Sequence, residues 1–127
     1  MSIKNPVQIT GSIVVEDAVI ANGESLSGAI ALGAGERQLV GLQMPSAWTA
    51  ASLTFAGSFD GTTYVPIYWN GAQYTIAAAG GAAASLGVSL EPSAFAGWPY
   101  LKVRSGTSAS AVNQGAARTL KALTRAV

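Results

Sequence analysis

The 127-residue sequence contains no histidine and no cysteine, and only 10% of its residues are charged. Without cysteine there is no disulfide, thiolate zinc site, iron–sulfur cluster or thiol nucleophile. Without histidine there is no imidazole ligand, and every triad that uses imidazole as its base is excluded. Long apolar runs are missing as well. The most apolar tract, 76–88, is short and broken by Gly80 and Gly81, whereas a membrane-spanning helix needs about 20 residues. The start, Met1-Ser-Ile-Lys-Asn-Pro, has no apolar run of the signal-peptide kind. The expectation is a soluble protein made in the cytoplasm, with no membrane partner.

The few carboxylates do not form a catalytic set. Glu16 and Asp17 are adjacent, so on a strand they point to opposite faces. Asp60 precedes Gly61 and reads as a turn cap; Glu91 precedes Pro92 and reads as the cap of a short turn. Asp60 and Glu91 would act on a glycosidic bond only if the fold joined them, and no spacing argument does so. No oxygen cluster suits calcium. Gly33-Ala34-Gly35 and Gly80-Gly81 lack the residues that turn a glycine loop into a phosphate cradle. We therefore expect no enzyme, no metal and no cofactor.

What remains is apolar and small. Half the chain is hydrophobic, with 24 alanines and 15 glycines, which excludes disorder; the length fits one domain. Residues 1–101 carry six acids (Glu16, Asp17, Glu24, Glu36, Asp60, Glu91) against Lys4 and Arg37. Residues 102–127 carry Lys102, Arg104, Arg118, Lys121 and Arg125 with no acid. That basic end is either a docking surface for something acidic or a set of ordinary solubilising charges on two strands. Spaced charges without stacked aromatics are a poor nucleic-acid footprint, so no nucleic acid is expected. The stretches 38–59 and 61–90 hold no charged residue at all. Charge-depleted surface is characteristic of subunit interfaces, which favours an assembled protein.

Period-2 alternation recurs along the chain and helical spacing is rare. In 52–59, Leu53, Phe55 and Phe59 share one face with Gly57, a bulge candidate, and Thr54, Ala56 and Ser58 the other. Asp60-Gly61 and Asn70-Gly71 are hairpin-turn signals, so 52–77 reads as a three-stranded meander. In its middle strand, 63–69, Pro66 demands an edge position or a bulge. Further strands are expected at 25–32, 37–44 (Val40, Leu42, Met44 inward), 84–90 (Leu86, Val88, Leu90 inward), 99–104 (Leu101, Val103 inward) and 118–125. One short helical turn is expected near 92–97, between Pro92 and Gly97, and 77–84 should be a loop. The fold expected is an all-β sandwich or jelly roll of about eight or nine strands, with 25–127 as its single domain. Residues 1–24 form either an N-terminal arm, able to add a strand to a neighbouring subunit, or the first strands. Under the arm reading, residues 2–20 should be removable without unfolding 25–127. Tyr64 and Tyr68 share a face opposite Val65, Ile67 and Trp69. The aromatic surface candidates Tyr64, Tyr68 and Trp69 offer a platform for sugar rings or a protein partner, or else cross-strand packing.

Two resemblances follow from these residues. Ser58-Phe59-Asp60-Gly61-Thr62-Thr63-Tyr64-Val65-Pro66-Ile67 and Trp98-Pro99-Tyr100-Leu101-Lys102-Val103-Arg104-Ser105 resemble the hairpin and following strand of discoidin-like and other carbohydrate-binding β-sandwiches. The long ligand-holding loops of those domains are not evident, so sugar binding does not carry over. "GERQLVGLQMPSAWTAASLTFAGSFDGTTYVPIY", "EPSAFAGWPYLKVRSGT" and "VNQGAARTLKALTR" resemble a family of small proteins of tailed bacteriophages and prophages. That resemblance implies a virion structural component at the capsid surface, a decoration (cement) protein that binds the major capsid protein and reinforces the head shell as a homo-oligomer, a trimer. The contact candidates are Val7, Ile9, Ile13 and Val15 with Lys102, Arg104 and Arg118. The alternatives are a carbohydrate-binding or adhesion module of a fibre or tail, and a tail or connector component.

Overall fold

The computed structural model describes residues 13–33 and 36–127. Ten strands lie among them: β1 (Ile13–Ile20), β2 (Ile30–Ala31), β3 (Arg37–Gln43), β4 (Leu53–Ser58), β5 (Val65–Pro66), β6 (Tyr68–Trp69), β7 (Ala72–Gln73), β8 (Gly87–Ser89), β9 (Tyr100–Ser105) and β10 (Arg118–Ala126). They form two four-stranded antiparallel sheets, ordered β1-β10-β3-β8 and β2-β9-β4-β5, and a two-stranded hairpin β6-β7. The protein is all-β, with the two large sheets enclosing one core. Ala18, Ile20, Leu39, Leu42, Val88, Leu120 and Ala122 enter it from the first sheet. Ile30, Leu53, Phe55, Leu101 and Val103 enter from the second.

Strand β4 is buried along its whole length, on both faces. Its outward Thr54 hydroxyl donates to the Gly106 carbonyl at 2.7 Å, so a polar side chain lies buried without leaving its donor orphaned. Inside, Phe55 packs edge-on against Phe95, ring centroids 4.9 Å apart, and Tyr74 closes the trio at 5.3 Å from Phe95. Phe95 is delivered by the expected helical turn, a 3-10 turn over Pro92–Phe95. Pro92 starts that turn because its missing N–H would be unpaired there anyway. The Glu91 carboxylate accepts from the Ser93 N–H, and Gly97 follows with φ +87°.

The first strand resolves one alternative. Residues 13–20 pair with β10 of their own chain, from Ile13↔Arg125 to Ile20↔Arg118. They are the first strand of the sandwich and no detached arm, and Ala18 and Ile20 are fully buried. Removing residues 2–20 would therefore open the core, against the expectation above. Val7 and Ile9 lie outside the described residues, as does part of the Gly33-Ala34-Gly35 turn.

Other differences have local causes. The expected strand 63–69 splits, which helps raise the strand number above nine. Ile67 N–H donates to the Phe55 carbonyl while Ile67 O accepts from Tyr74, so this residue leaves β4 to start the hairpin. Pro66 sits on the sheet-edge strand β5 as required. Asn70-Gly71 forms a two-residue turn with φ +55° and +81° between the paired Trp69 and Ala72, the primed geometry a tight hairpin needs. Asp60-Gly61 does not: it lies within a longer connection, residues 59–64, between β4 and β5. Gly57 carries no bulge, since the β4–β9 register runs unbroken from Leu53↔Ser105 to Ser58↔Tyr100. Phe59 lies past that last pair and is 71% exposed. In β3, the register with β10 slips between Leu123 and Thr124, leaving Val40 as the extra residue. This bulge turns both Leu39 and Leu42 inward, where strict alternation had placed Val40. Leu86, just before β8, is exposed. Of 25–32 only Ile30–Ala31 is a strand, with Leu26 adding an isolated bridge to Arg104. The 77–84 loop contains a 3-10 turn, Ala78–Gly80.

Gly57 is an expected point of failure. A Cβ there would stand 2.8 Å from the Trp98 ring and 3.1 Å from Ile67. Overpacking costs about 1–3 kcal/mol, more than the roughly 0.4–1 kcal/mol an alanine gains by restricting the unfolded chain. Gly57→Ala should lower stability by about 1–2 kcal/mol in urea unfolding; an unchanged or raised midpoint would contradict this packing.

Candidate functional site

The outward face of the first large sheet begins at β1. Because Ala18 and Ile20 point inward, Ile13, Val15, Asp17 and Val19 point out. Val15, 53% exposed, stands opposite half-buried Leu123, and Ile13 and Val19 are more than two-fifths exposed. The charges in this strip are partly paired: Lys121 Nζ meets Asp17 Oδ1 at 2.7 Å. An exposed ion pair contributes little to stability, but it neutralises the middle of an aliphatic stripe. β1 is also a sheet edge, with one side of its backbone unpaired by the described strands.

The expected contact residues divide between different surfaces. Ile13 and Val15 share the face just described. Lys102 and Arg104 alternate with the buried Leu101 and Val103, so they lie on the outside of the other sheet, and one flat partner cannot touch both groups. Lys102 Nζ sits over the Tyr64 ring, 4.5 Å from its centroid. Burial pulls the Arg104 guanidinium below the usual arginine range, and its Nη1 is buried with no hydrogen bond. Arg118 is committed internally: its Nε donates to Gln114 Oε1 at 3.1 Å and its Nη2 to Thr49 Oγ1 at 3.2 Å. Gln114, buried, also accepts from Thr49 N–H and donates to Thr49 O and Ser105 Oγ. Sequence reasoning missed this hub, because one glutamine in a loop carries no local signal of the partners that fold around it.

The aromatic candidates do not form one platform. Tyr64 precedes β5 and lies under Lys102, while Tyr68 and Trp69 belong to the separate hairpin. Tyr68 is exposed, and Trp69 meets Tyr74 edge-on at 6.1 Å. A concave site lies elsewhere, at the end of the sandwich where β4 stops. A groove of about 310 Å³ is lined by Gly57, Ser58, Phe59, Asp60, Thr63, Val65 and Trp98. Its wall is apolar because Gly57 and Val65, paired across β4 and β5, meet the Trp98 ring there, with the exposed Phe59 just past the end of β4. Gly57 admits the Trp98 ring against the backbone.

Asp60 sets the polar rim. Its Oδ1 accepts from Thr62 N–H at 2.8 Å, Thr63 N–H at 3.0 Å and the Ser58 hydroxyl at 2.9 Å. The backbone donors of Thr63 and Thr62, then Ser58, hold the carboxyl below its ordinary 3.8, since each bond favours the charged form. Burial, followed by the charges of Tyr100 and Asp60, pushes the Tyr64 phenol above 10.0. Asp60 and Glu91 do not meet within the groove lining, and among the described residues no three carboxylates stand together as a metal site. No helix among the described residues is long and apolar enough to cross a membrane.

A depressed carboxyl stabilises the folded loop fully above its unfolded pKa and loses that contribution as pH falls through the folded value. The Thr62 and Thr63 amide proton shifts should therefore titrate with a midpoint below 3.8. A midpoint at or above that value would show that Asp60 does not hold the loop as described. No protein-family model and no curated protein matches this sequence.

Proposed function

We propose that this chain is a structural component of a tailed-bacteriophage virion, a non-enzymatic capsid decoration protein that docks on the assembled head shell. The observation that carries the reading is the aliphatic outer face of β1, with Ile13, Val15 and Val19 exposed beside Leu123. Exposed apolar surface gathered on one face marks an interaction site, and the charge-free stretches 38–59 and 61–90 favour the same conclusion. The resemblance of 35–68, 91–107 and 112–125 to small phage proteins is what suggests the kind of assembly.

The strand order adds support. Setting aside the β6-β7 hairpin and counting the remaining eight strands along the chain, the sheets read 1-8-3-6 and 2-7-4-5. We infer a jelly roll, an architecture that recurs in viral capsid and lectin domains, although fold alone assigns no function. In this reading the outer face of the β1 sheet lies against the major capsid protein and the Lys102–Arg104 side faces away. A trimer is the oligomer that seats on local threefold positions. Binding only the assembled lattice stabilises it by mass action.

The test is face-specific. Val15→Glu introduces a charge that docking would bury, at a cost of several kcal/mol. Its occupancy on purified shells, read by co-sedimentation, should fall at least tenfold, while its circular dichroism is unchanged. Lys102→Glu, on the opposite face, should bind as the parent does. Normal occupancy of the Val15 variant, or loss only in the Lys102 variant, would overturn the assignment of this face.

A further inference from the structure

We propose that Asn70 is a self-modifying site, converted to an aspartyl or isoaspartyl residue by attack of the Gly71 backbone nitrogen, and that the fold confines this chemistry to the β6-β7 hairpin. The chain has two Asn-Gly steps, Asn22-Gly23 and Asn70-Gly71, and one Asp-Gly step, Asp60-Gly61. Glycine favours such chemistry, since it has no Cβ to obstruct the approach of its own nitrogen to the preceding side chain. All three steps are exposed, and Gly23, Gly61 and Gly71 have φ of +81°, +79° and +81°. Neither exposure nor backbone region separates them. The attacking N–H does. Gly23 N–H donates to the Gln114 carbonyl at 2.9 Å, and Gln114 N–H donates to the Glu24 carbonyl at 2.9 Å, which ties this turn to the buried Gln114. Gly61 N–H donates to Ser58 Oγ at 2.9 Å. Asp60 is also held ionised, and a carboxylate resists nucleophilic attack where a neutral amide accepts it. Gly71 N–H has no acceptor among the described residues.

The hairpin also lets the reacting atoms meet. Its strands have two residues each, and neither pairs with any other described strand. A two-stranded hairpin is marginally stable by itself, so local opening brings the Asn70 amide over Gly71 N. Water is the only co-reactant. Gly71 N loses its proton to water or hydroxide and bonds to Asn70 Cγ, closing a five-membered succinimide. The Cγ–Nδ2 bond breaks, and the nitrogen takes up a proton and leaves as ammonia. Water then opens the ring. Addition at Cγ gives the aspartyl residue, and addition at the Asn70 backbone carbonyl gives the isoaspartyl one. Either product puts a negative charge into the stretch 61–90, which otherwise has none. The isoaspartyl form adds a backbone carbon to the two-residue turn between Trp69 and Ala72, beside the contact of Trp69 with Tyr74. The β1 face takes no part, so this modification does not depend on shell docking.

The experiment incubates the full chain at mildly alkaline pH in water enriched in heavy oxygen, folded in one sample and in guanidinium chloride in another, followed by proteolysis and peptide mass mapping. The heavy oxygen marks modification that occurs during the incubation. In the folded chain Asn70 should be converted, giving both aspartyl and isoaspartyl peptides. Asn22 should react about tenfold more slowly, the order of protection one backbone hydrogen bond supplies. In guanidinium chloride the two asparagines should react at similar rates, since the bond from Gly23 is lost there. Asn70→Gln, whose longer side chain must close a less favourable six-membered ring, should abolish the reaction at this position and leave the Asn22 rate unchanged. The proposal is overturned if Asn70 stays intact in the folded chain while both asparagines react in guanidinium chloride. It is overturned equally if folded Asn22 reacts as fast as Asn70, or if the ratio of the two rates is the same folded and unfolded, since sequence and not the fold would then set it.

Discussion

Strand β4 must be buried on both faces, and most of the architecture follows from that requirement. Inward, Phe55 sits at the meeting point of the sheets and the 3-10 turn, with Phe95 and Tyr74 packed around it. Outward, Thr54, Ala56 and Ser58 are buried too, so small or hydrogen-bonded side chains are the ones tolerated there. Fully burying a side chain such as leucine or phenylalanine contributes roughly 1.5–3 kcal/mol, and β4 concentrates two of these in six residues. Where the strand ends, the two-sided burial ends with it. Phe59 emerges into solvent and the groove begins.

Scarcity of charge has a structural counterpart. Several of the few charged groups have local tasks: Asp60 ties down the 59–64 connection, Glu91 caps a turn, Arg118 joins the Gln114 network and Asp17 pairs with Lys121. Arg37 likewise bonds Thr124 through both its Nε and Nη2. The outer surface of the β1 sheet nonetheless mixes the aliphatic Ile13, Val15, Val19 and Leu123 with Asp17, Lys121 and Arg125.

Features encoded by neighbouring residues were legible in the sequence. Asn70-Gly71 dictates its turn, Glu91-Pro92 its capped helical start, and Pro66 its edge position, because each acts through local backbone chemistry. The alternation of Leu101 and Val103 with Lys102 and Arg104 likewise gave the correct face. Features set by distant partners were not legible. The Val40 bulge answers to β10, the break at Ile67 to carbonyl and amide groups on β4 and the hairpin, and the roles of Gln114 and Arg118 to Thr49. The candidate surfaces were half visible for the same reason. The β-branched residues of β1 stood out, but only pairing with β10 shows which of them face outward. The groove joins residues 57–65 to Trp98, a juxtaposition no period in the chain announces.

The proposed role has this sandwich cover a repeating shell. The most direct measurement is its copy number in purified particles, taken from its band intensity against the major capsid protein. A decoration protein should be present in hundreds of copies, in fixed ratio to the shell subunits. A count of six or twelve, or a small multiple of them, would contradict the account and assign the chain to a connector, tail or fibre.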